Sequence, residues 1–293
     1  MTPPPVLFGA LILTHGRPDR VYTLASLRKA GYTGPVYLVV DDEDRQLEAY
    51  RARYGPEMVR VFSKSDIASR CDEGDNFSDR RAILYARNAS FEIARELGLE
   101  YFIQLDDDYT EFAYRFDSAM RFGWGPIKSL DTVFICLVGL LMDAPVLSAV
   151  CMAQGGDFIG GEENQMASMI RPLRKAMNTF VCCAARPFKF FGRINEDVNT
   201  YTAGQRSGRL LFLTTNQVSI TQRQTQSNAG GMTDIYLSQG TYVKSFYSVM
   251  YAPGGVKVRS VGHGRGARLH RSMEWDRVAP LIVSERLRKS PRT

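Results

Sequence analysis

Residues 100–112 read EYFIQLDDDYTEF, and this stretch joins an apolar segment typical of a buried β-strand to three consecutive aspartates. Because residues i and i+2 lie on the same face of a strand, we expect Asp106 and Asp108 to point one way and Asp107 the other. Two carboxylates on one face at a strand end form half of a site for a hard cation such as Mg²⁺ or Mn²⁺. An acidic, solvated loop after a core strand is the alternative for this stretch taken alone.

The chain before this stretch alternates between strand and helix patterns. Apolar runs predict strands at Val6–Leu13, Val36–Val40 and Met58–Phe62. Amphipathic patterns predict helices over about residues 19–30, up to about residue 54, and over about residues 80–97. An alternation of strands and helices is typical of an α/β protein with a doubly wound, mainly parallel sheet.

Polar clusters follow three of the predicted strands. Thr14, His15 and Arg17 come after the first, Asp41-Asp42 after the second, and the three aspartates after the fourth. In such sheets, ligands bind beyond the carboxyl ends of the strands. The clusters are therefore expected at one edge, which favours a binding site over a solvated loop. There Thr14, His15 and Arg17 would meet a nucleotide's base and diphosphate, and Asp41 or Asp42 would accept hydrogen bonds from uracil or ribose.

Arg87 and Asn88 occur in the helix that precedes the aspartates. Their position is late enough in the chain to approach the same nucleotide. The alternative is an ion pair on the helix surface.

The second half of the chain is less regular, with a mixed sheet expected there. Strands are predicted at Leu147–Ala153, Met177–Ala185 and Val256–Val261, a hairpin at 209–222 and an aromatic-rich helix around 233–251. Without a linker or repeat, residues 1–293 are expected to form one domain. Its nucleotide-binding half would cover about residues 1–115, and its acceptor-binding half about residues 116–293.

Composition and charge restrict the class of protein. Hydrophobic residues make up 44% of the 293 residues and charged residues 23%, as in soluble globular proteins. The five cysteines lack a CxxC pair and are expected to be reduced core residues of a cytoplasmic protein. The N-terminal stretch lacks the basic region of a signal peptide. The longest other apolar stretch contains Asp143 and Pro145, which favours a buried helix and strand over a membrane span.

The net charge of +6 is concentrated near the C-terminus. Residues 251–293 contain ten Lys/Arg and three Asp/Glu, a local charge of +7. Such a segment is either a solvated basic face or a contact surface for the phosphates of a nucleotide or a nucleic acid.

The ordered motifs resemble those of GT-A glycosyltransferases. Asp106-Asp107-Asp108 is similar to the DxD signature, and Asn195-Glu196-Asp197 is similar to the later xED motif. The resemblance implies that Asp108, with Asp106, binds the metal that bridges the donor diphosphate, and that a C-terminal histidine completes the metal shell. His270 is the first candidate for that ligand and His263 the second. No protein partner and no membrane contact are implied.

A closer resemblance is to the phage-encoded glycosyltransferases associated with TET/JBP-type DNA base dioxygenases. It is carried by ILTHGRP, LYARN before LDDDY, INEDVNT, TQSNAGGMT and RLHRSMEW followed by APLIV, which together span almost the whole chain. The resemblance implies transfer of a sugar, with Mn²⁺ or Mg²⁺, from UDP-glucose or UDP-GlcNAc to 5-hydroxymethylcytosine in DNA. It also implies a host-cytoplasmic protein if the source is a phage.

The acceptor hydroxyl needs a general base, and Asp197 fits that role by family position. At the start of a predicted helix behind an Asn195 cap, a carboxylate is stabilised in its ionised form. Glu196 is the alternative base, and simple capping of the helix is the non-catalytic alternative. Asp107 would hold a donor-sugar hydroxyl or be structural.

Three rival functions remain at this point. The acceptor could be a protein, a lipid or a polysaccharide. The enzyme could be a sugar-1-phosphate nucleotidyltransferase, although the loop after the first strand is not the glycine-rich loop usual there. A non-catalytic DNA-binding module would explain the basic segment but not three acidic strand ends.

Overall fold

The computed structural model of the chain describes residues 7–75, 80, 82–168, 175–223, 243–261, 268–279 and 284–285. The strands are β1 Phe8–Leu13, β2 Val36–Asp41, β3 Val59–Phe62, β4 Tyr101–Asp106, β5 Tyr109–Phe116, β6 Phe122–Pro126, β7 Ala149–Gln154, β8 Thr179–Cys183, β9 Phe212–Gln222, β10 Val256–Val261 and β11 Arg268–Met273. The helices are α1 Tyr22–Lys29, α2 Leu47–Tyr54, α3 Lys64–Ser69, α4 Leu84–Glu96, α5 Leu130–Asp143, α6 Gln165–Ser168, α7 Glu196–Asn199, α8 over residues 243–251, and α9 Trp275–Val278.

Among the described residues, nine strands form one sheet in the order β3-β2-β1-β4-β8-β7-β9-β5-β6. The strands β3, β2, β1 and β4 are parallel, whereas β8 runs antiparallel to β4 and begins a mixed half. Strands β10 and β11 form a separate antiparallel hairpin. The predicted α/β class with a parallel first half and a mixed second half is confirmed.

Two apolar layers cover the two faces of the sheet. Along β1, Ala10 and Ile12 belong to one buried cluster, and Leu11 and Leu13 belong to the other. This alternation follows from the two-residue period of a strand. Side chains of α1, α2 and α5 fill the first layer, and those of α3, α4 and α7 fill the second. Because β1, β2 and β4 are parallel neighbours, their carboxyl ends lie together at one edge of the sheet.

Helix α4 is the longest helix on the second face and carries the LYARN motif. Its buried residues include Leu84, Phe91 and Ala94, whose spacings of seven and three place them on one face of the helix. It ends before Gly98, whose φ of 69° is readily adopted only by a residue without a side chain. The turn returns the chain to β4, which ends at Asp106 on that edge.

Three sequence predictions differ from the structure. Residues 209–222, predicted as a hairpin, contain the single strand β9, which is irregular where it pairs with β7. Strands β5 and β6 were not predicted. Of the five cysteines, all free, Cys136 is exposed and Cys71 is half-buried, so the prediction of five core thiols is wrong.

The apolar stretch around residue 140 forms helix α5 and strand β7, as predicted. Within the described residues, no helix is both long and apolar enough to cross a bilayer.

Candidate functional site

The three aspartates lie at the turn between β4 and β5 and contact different partners. Asp106 Oδ1 accepts a hydrogen bond from Arg87 Nη2 at 3.0 Å. Asp107 is buried and accepts hydrogen bonds from Thr14 Oγ1 at 2.7 Å and from Arg17 Nε and Nη2 at 3.0 and 2.7 Å. Asp107 therefore fastens the loop after β1 to the turn after β4, as expected for a structural carboxylate.

Asp108 is the carboxylate of this turn that has no ion-pair partner among the described residues. It is only 6% exposed, and neither of its oxygens has a hydrogen-bond partner among the described residues. Burial, followed by the charges of Asp106 and Asp107, raises the pKa of Asp108 to about 7. Burial also raises the pKa of Asp106 to about 6, although Arg87 opposes this shift. An unpaired buried carboxylate is costly, which indicates a site that a cation would complete.

The xED-like segment lies close to this turn through Arg87. Arg87 Nε donates to Glu196 Oε1 at 2.7 Å, and both side chains are buried. Burial raises the pKa of Glu196 to about 7 against the effect of Arg87. Asp197 follows Glu196 in α7, is 7% exposed, and raises the pKa of Asp106 through its charge. The two acidic motifs, ninety residues apart in the chain, therefore share one electrostatic environment.

A second acidic cluster lies at the ends of β1 and β2. His15 Nδ1 is 2.7 Å from Asp41 Oδ2, and Lys64 Nζ is 2.8 Å from Asp41 Oδ1. Asp44 accepts hydrogen bonds from the backbone amides of Gly16 and Gln46. Although burial alone would raise it, His15 and Lys64 hold the pKa of Asp41 below its usual value.

Both clusters contain groups that could ligate a metal, but only one fits a hard cation well. His15, Asp41 and Asp44 offer ligand atoms within 4.8 Å of one another. There, however, the Lys64 ammonium already neutralises Asp41. In the described part of the chain, neither carboxylate oxygen of Asp108 accepts a hydrogen bond, and Asp106 is close enough to raise its pKa. Such a pair suits the all-oxygen preference of Mg²⁺ and Mn²⁺. The residues present at the β4–β5 turn fit a divalent cation.

Asn195 stands before Glu196 but does not cap α7 with its side chain. Its backbone is in the left-handed region with φ of 57°, which is uncommon outside glycine. Its Nδ2 donates to the Lys244 carbonyl of α8 at 2.6 Å, and its Oδ1 accepts from Arg271 Nη1 of β11 at 3.1 Å. Asn195 therefore holds the predicted N-cap position without a side-chain capping bond, and its side chain links α8 and the C-terminal hairpin to the acidic segment.

The contacts of its neighbours on β11 indicate which face of the strand His270 occupies. On β11, Arg271 contacts Asn195, and Met273 Sδ accepts a hydrogen bond from Tyr201 Oη of the helical segment after α7. Because neighbouring residues of a strand point to opposite faces, His270 lies on the other, exposed face. Its assignment as a metal ligand stays a prediction, and His263 lies outside the described residues.

The remaining predicted residues are Asp42, Asn88 and Arg87. Asp42 is exposed and accepts the backbone amide of Lys64 at 2.9 Å. Asn88 holds Phe190, since its Oδ1 accepts the Phe190 amide and its Nδ2 donates to the Phe190 carbonyl. Arg87 is fully buried rather than on the helix surface, so neither a surface ion pair nor a direct donor contact describes it.

Sequence reasoning missed several polar residues of the site. Lys64 follows β3 by two positions, so the rule that found the other strand-end clusters would have found it. Asn178, with φ of 57°, accepts hydrogen bonds from Arg87 Nη2 and from Tyr109 Oη, and it gave no signal in the sequence. Asp44 and Arg271 owe their positions to tertiary contacts.

Comparison with known proteins gives one family match. A sequence model of the TET-associated glycosyltransferase family matches residues 8–231. No curated protein gives a significant match.

Comparison with solved structures gives distant similarities. Glucosyl-3-phosphoglycerate synthase from Mycobacterium tuberculosis, in complex with Mg²⁺ and UDP, is 11% identical with a TM-score of 0.44, over 92% of this chain and 88% of that one. The same enzyme with Mn²⁺ and UDP-glucose is 11% identical with a TM-score of 0.45, over 92% and 87%. At these values the similarity assigns no ligand to this chain.

Proposed function

The chain belongs to the TET-associated glycosyltransferase family, and we propose that it transfers a sugar from a nucleoside diphosphate sugar to the hydroxyl of 5-hydroxymethylcytosine in DNA. Its activity class, glycosyl transfer, follows from family membership, and the mixed α/β sheet agrees with the GT-A fold. The donor, the metal and the acceptor belong to the proposal.

The unpaired carboxyl group of Asp108 is the observation that carries the proposal. In our proposal, Asp108 and Asp106 hold Mn²⁺ or Mg²⁺ against the donor diphosphate. The ion would stabilise the negative charge that develops on the leaving nucleoside diphosphate. His270 is proposed as a further ligand. The buried carboxylates supply the negative field that favours cation binding, and Arg87 limits their mutual repulsion.

The loop after β1 is proposed to receive the donor nucleotide, with UDP-glucose or UDP-GlcNAc as the expected donor. Asp107 fixes Thr14 and Arg17, so their backbone approaches the nucleotide in a defined shape. His15 and Asp41 face each other at the ends of β1 and β2, where a base or ribose would be recognised. The exposed Asp42 is the weaker candidate for the same contact.

Asp197 is proposed to accept the proton of the attacking hydroxyl in an inverting, single displacement. One of its oxygens, Oδ1, accepts the amide of Val198 at 2.7 Å, which fixes the carboxylate and leaves Oδ2 for the acceptor. Glu196, the alternative base, is committed to Arg87. General-base assistance of this kind is typically worth about 10²–10⁴ in rate.

The DNA acceptor is supported by family membership and by the basic C-terminal segment. Part of that charge is balanced internally, because Lys257 and Arg277 both pair with Glu274. Arg259 on β10 is exposed on the same hairpin. A base hydroxymethyl group is crowded within duplex DNA, so we expect the base to be flipped out of the stack to reach Asp197.

We also propose that the chain acts as one domain, in the cytoplasm of the host if the source is a phage. Strand β4 of the first half pairs with β8 of the second, so one sheet spans both halves. Five free cysteines agree with a reducing compartment.

The test is to incubate the protein with Mn²⁺ or Mg²⁺, a panel of nucleotide sugars, and oligonucleotides that contain cytosine or 5-hydroxymethylcytosine. Mass spectrometry should detect a hexose- or N-acetylhexosamine-sized gain only on the hydroxymethylated strand, and high salt should weaken it. Donor hydrolysis without gain on DNA, or transfer to a protein, lipid or polysaccharide, would contradict the acceptor and favour the rival transferase.

A further inference from the structure

Arg87 is a fully buried cation that contacts two acidic motifs from different parts of the chain. It lies in the first turn of α4, on the layer that covers the sheet beside β4. Its Nε donates to Glu196 of α7 at 2.7 Å, and its Nη2 donates to Asp106 at the end of β4 at 3.0 Å. The guanidinium therefore bridges the strand that carries the aspartates and the helix that carries Asp197.

We infer that Arg87 is a positioning residue that fixes Asp106 for metal binding and sets its place relative to Asp197, an inference that rests on the proposed function. Its guanidinium holds Oδ1 of Asp106, which leaves Oδ2 for the ion. Through Glu196 it also holds the first turn of α7, in which Asp197 is the next residue. Partners that hold a metal ligand from behind commonly change metal affinity or activity by about 10–100-fold when they are removed.

Arg87 has no access to a donor molecule. It is 0% exposed, and its Cζ lies 5.2 Å from the ring centroid of Phe180 and 5.7 Å from that of Phe190. The two rings form an apolar wall around the guanidinium. A residue enclosed in this way acts on the reaction only through the carboxylates that it holds.

Lysine cannot replace arginine in this bridge. The planar guanidinium presents several N–H donors in fixed directions, so it serves two carboxylates at once, whereas an ammonium group on a flexible stem does not reproduce both contacts. Arg87→Lys therefore preserves the charge and removes the geometry. Glu196→Asp does the same from the other end, since it keeps the carboxylate but shortens its reach by one methylene.

Arg193 provides a matched control within the same protein. It is also 0% exposed and pairs with a carboxylate, with Nη2 2.7 Å from Asp75 Oδ2. This ion pair joins the loop before α4 to the segment before α7 and does not include Asp106 or Asp108. Arg193→Lys should thus lower stability in the way that Arg87→Lys does, without reaching the proposed metal site.

The experiment measures Mn²⁺ affinity by electron paramagnetic resonance and UDP affinity by calorimetry, at a temperature where melting curves show each variant to be folded. Arg87→Lys should weaken Mn²⁺ binding by about tenfold or more, and Arg193→Lys should not. UDP measured without metal should bind both variants as it binds the wild type. Equal Mn²⁺ affinity in both variants would overturn the inference, and a loss of metal-free UDP affinity in Arg87→Lys would make Arg87 a donor contact instead.

A second measurement uses the charge-conserving change at the other end of the bridge and covers the case in which Arg87→Lys does not fold. Glu196→Asp should lower the transfer rate with unchanged UDP affinity. Where Arg87→Lys folds, the double variant should be no slower than the slower single variant, because one bridge is broken only once. If the rate reductions of the two single variants multiply in the double variant, the two residues act separately. A wild-type transfer rate in Glu196→Asp would contradict the proposed bridge. A wild-type protein that binds no Mn²⁺ would refute the proposed function itself together with this inference.

Discussion

Two acidic clusters lie at the same edge of the sheet, and they differ in how their charge is balanced. At the ends of β1 and β2, Asp41 pairs with the Lys64 ammonium and shares a hydrogen bond with His15, and its pKa is lowered. At the end of β4, Asp108 has no hydrogen-bond partner among the described residues, and its pKa is raised to about 7.

The difference teaches that ligand type alone does not locate a metal site. His15, Asp41 and Asp44 offer a histidine and two carboxylates at short range, which is a familiar set of metal ligands. Here the Lys64 ammonium lies 2.8 Å from Asp41 Oδ1, and Asp44 accepts two backbone amides. Asp41 Oδ1 makes no hydrogen bond among the described residues, so the two clusters differ in charge balance rather than in hydrogen bonding. The cluster at Asp108 is destabilised as it stands, and a cation would relieve it. Unbalanced buried charge is therefore the more informative signal.

The largest effect is expected from removal of the unbalanced carboxylate. Asp108→Ala should reduce sugar transfer to the detection limit while the protein remains folded, because the turn lies outside the apolar core. Donor turnover with Mn²⁺ is the measurement. Asp131→Ala, which removes a carboxylate that binds Thr33 on the surface, serves as the control with normal turnover. If Asp108→Ala kept full activity in the presence of a chelator, the proposed metal site at Asp108 would be wrong.

The next largest effect is expected at the proposed base. Asp197→Asn should slow transfer by about 10²–10⁴ and leave UDP affinity close to that of the wild type, since the acceptor proton then has no base to accept it. Single-turnover rates on bound donor separate this outcome from a binding defect. A collapse of donor affinity with a normal rate on bound donor would make Asp197 a binding residue.

A smaller effect is expected at Asn195, whose backbone conformation and side-chain contacts both hold the xED-like segment. Asn195→Gly keeps the left-handed backbone and removes only the contacts to α8 and Arg271, whereas Asn195→Ala also disfavours the backbone by roughly 1–2 kcal/mol. Alanine should therefore reduce transfer about tenfold more than glycine does, because about 1.4 kcal/mol corresponds to a factor of ten. Equal rates in the two variants would show that the backbone conformation is irrelevant.

The smallest effect concerns stability without metal. The pKa of Asp108 is about 7 in the folded protein and about 3.9 in an unfolded chain. The folded state thus binds this proton more tightly, so the carboxyl group's contribution to stability falls as pH rises from about 4 to about 7. In a chelator, Asp108→Ala should melt above the wild type at pH 8, and the gap should shrink at pH 5. A gap that does not depend on pH would contradict the raised pKa.

The sequence predicted the position of the acidic turn in the fold better than the contacts within it. The end of β4 was predictable because an apolar run stops at three aspartates and because ligands bind beyond parallel strand ends. The sequence did not predict which of the three carboxylates would pair with an arginine. Arg17 and Arg87 select Asp107 and Asp106 through contacts between residues ninety and nineteen positions apart, and no local pattern encodes them.

The errors in the predicted fold have similar causes. Residues 214–217 look like a turn between two strands, but β9 passes through them with an irregularity, and Asn216 Nδ2 donates to the Met166 carbonyl. Here a tertiary contact overrides the local preference for a turn.

Anomalous diffraction from crystals grown with Mn²⁺ and UDP tests the central claim most directly, because it shows which of the two clusters binds the ion. We predict one strong manganese peak within coordination distance of the Asp108 carboxylate and on the Asp106 side of it. A peak held by His15, Asp41 and Asp44, with none at Asp108, would contradict the account.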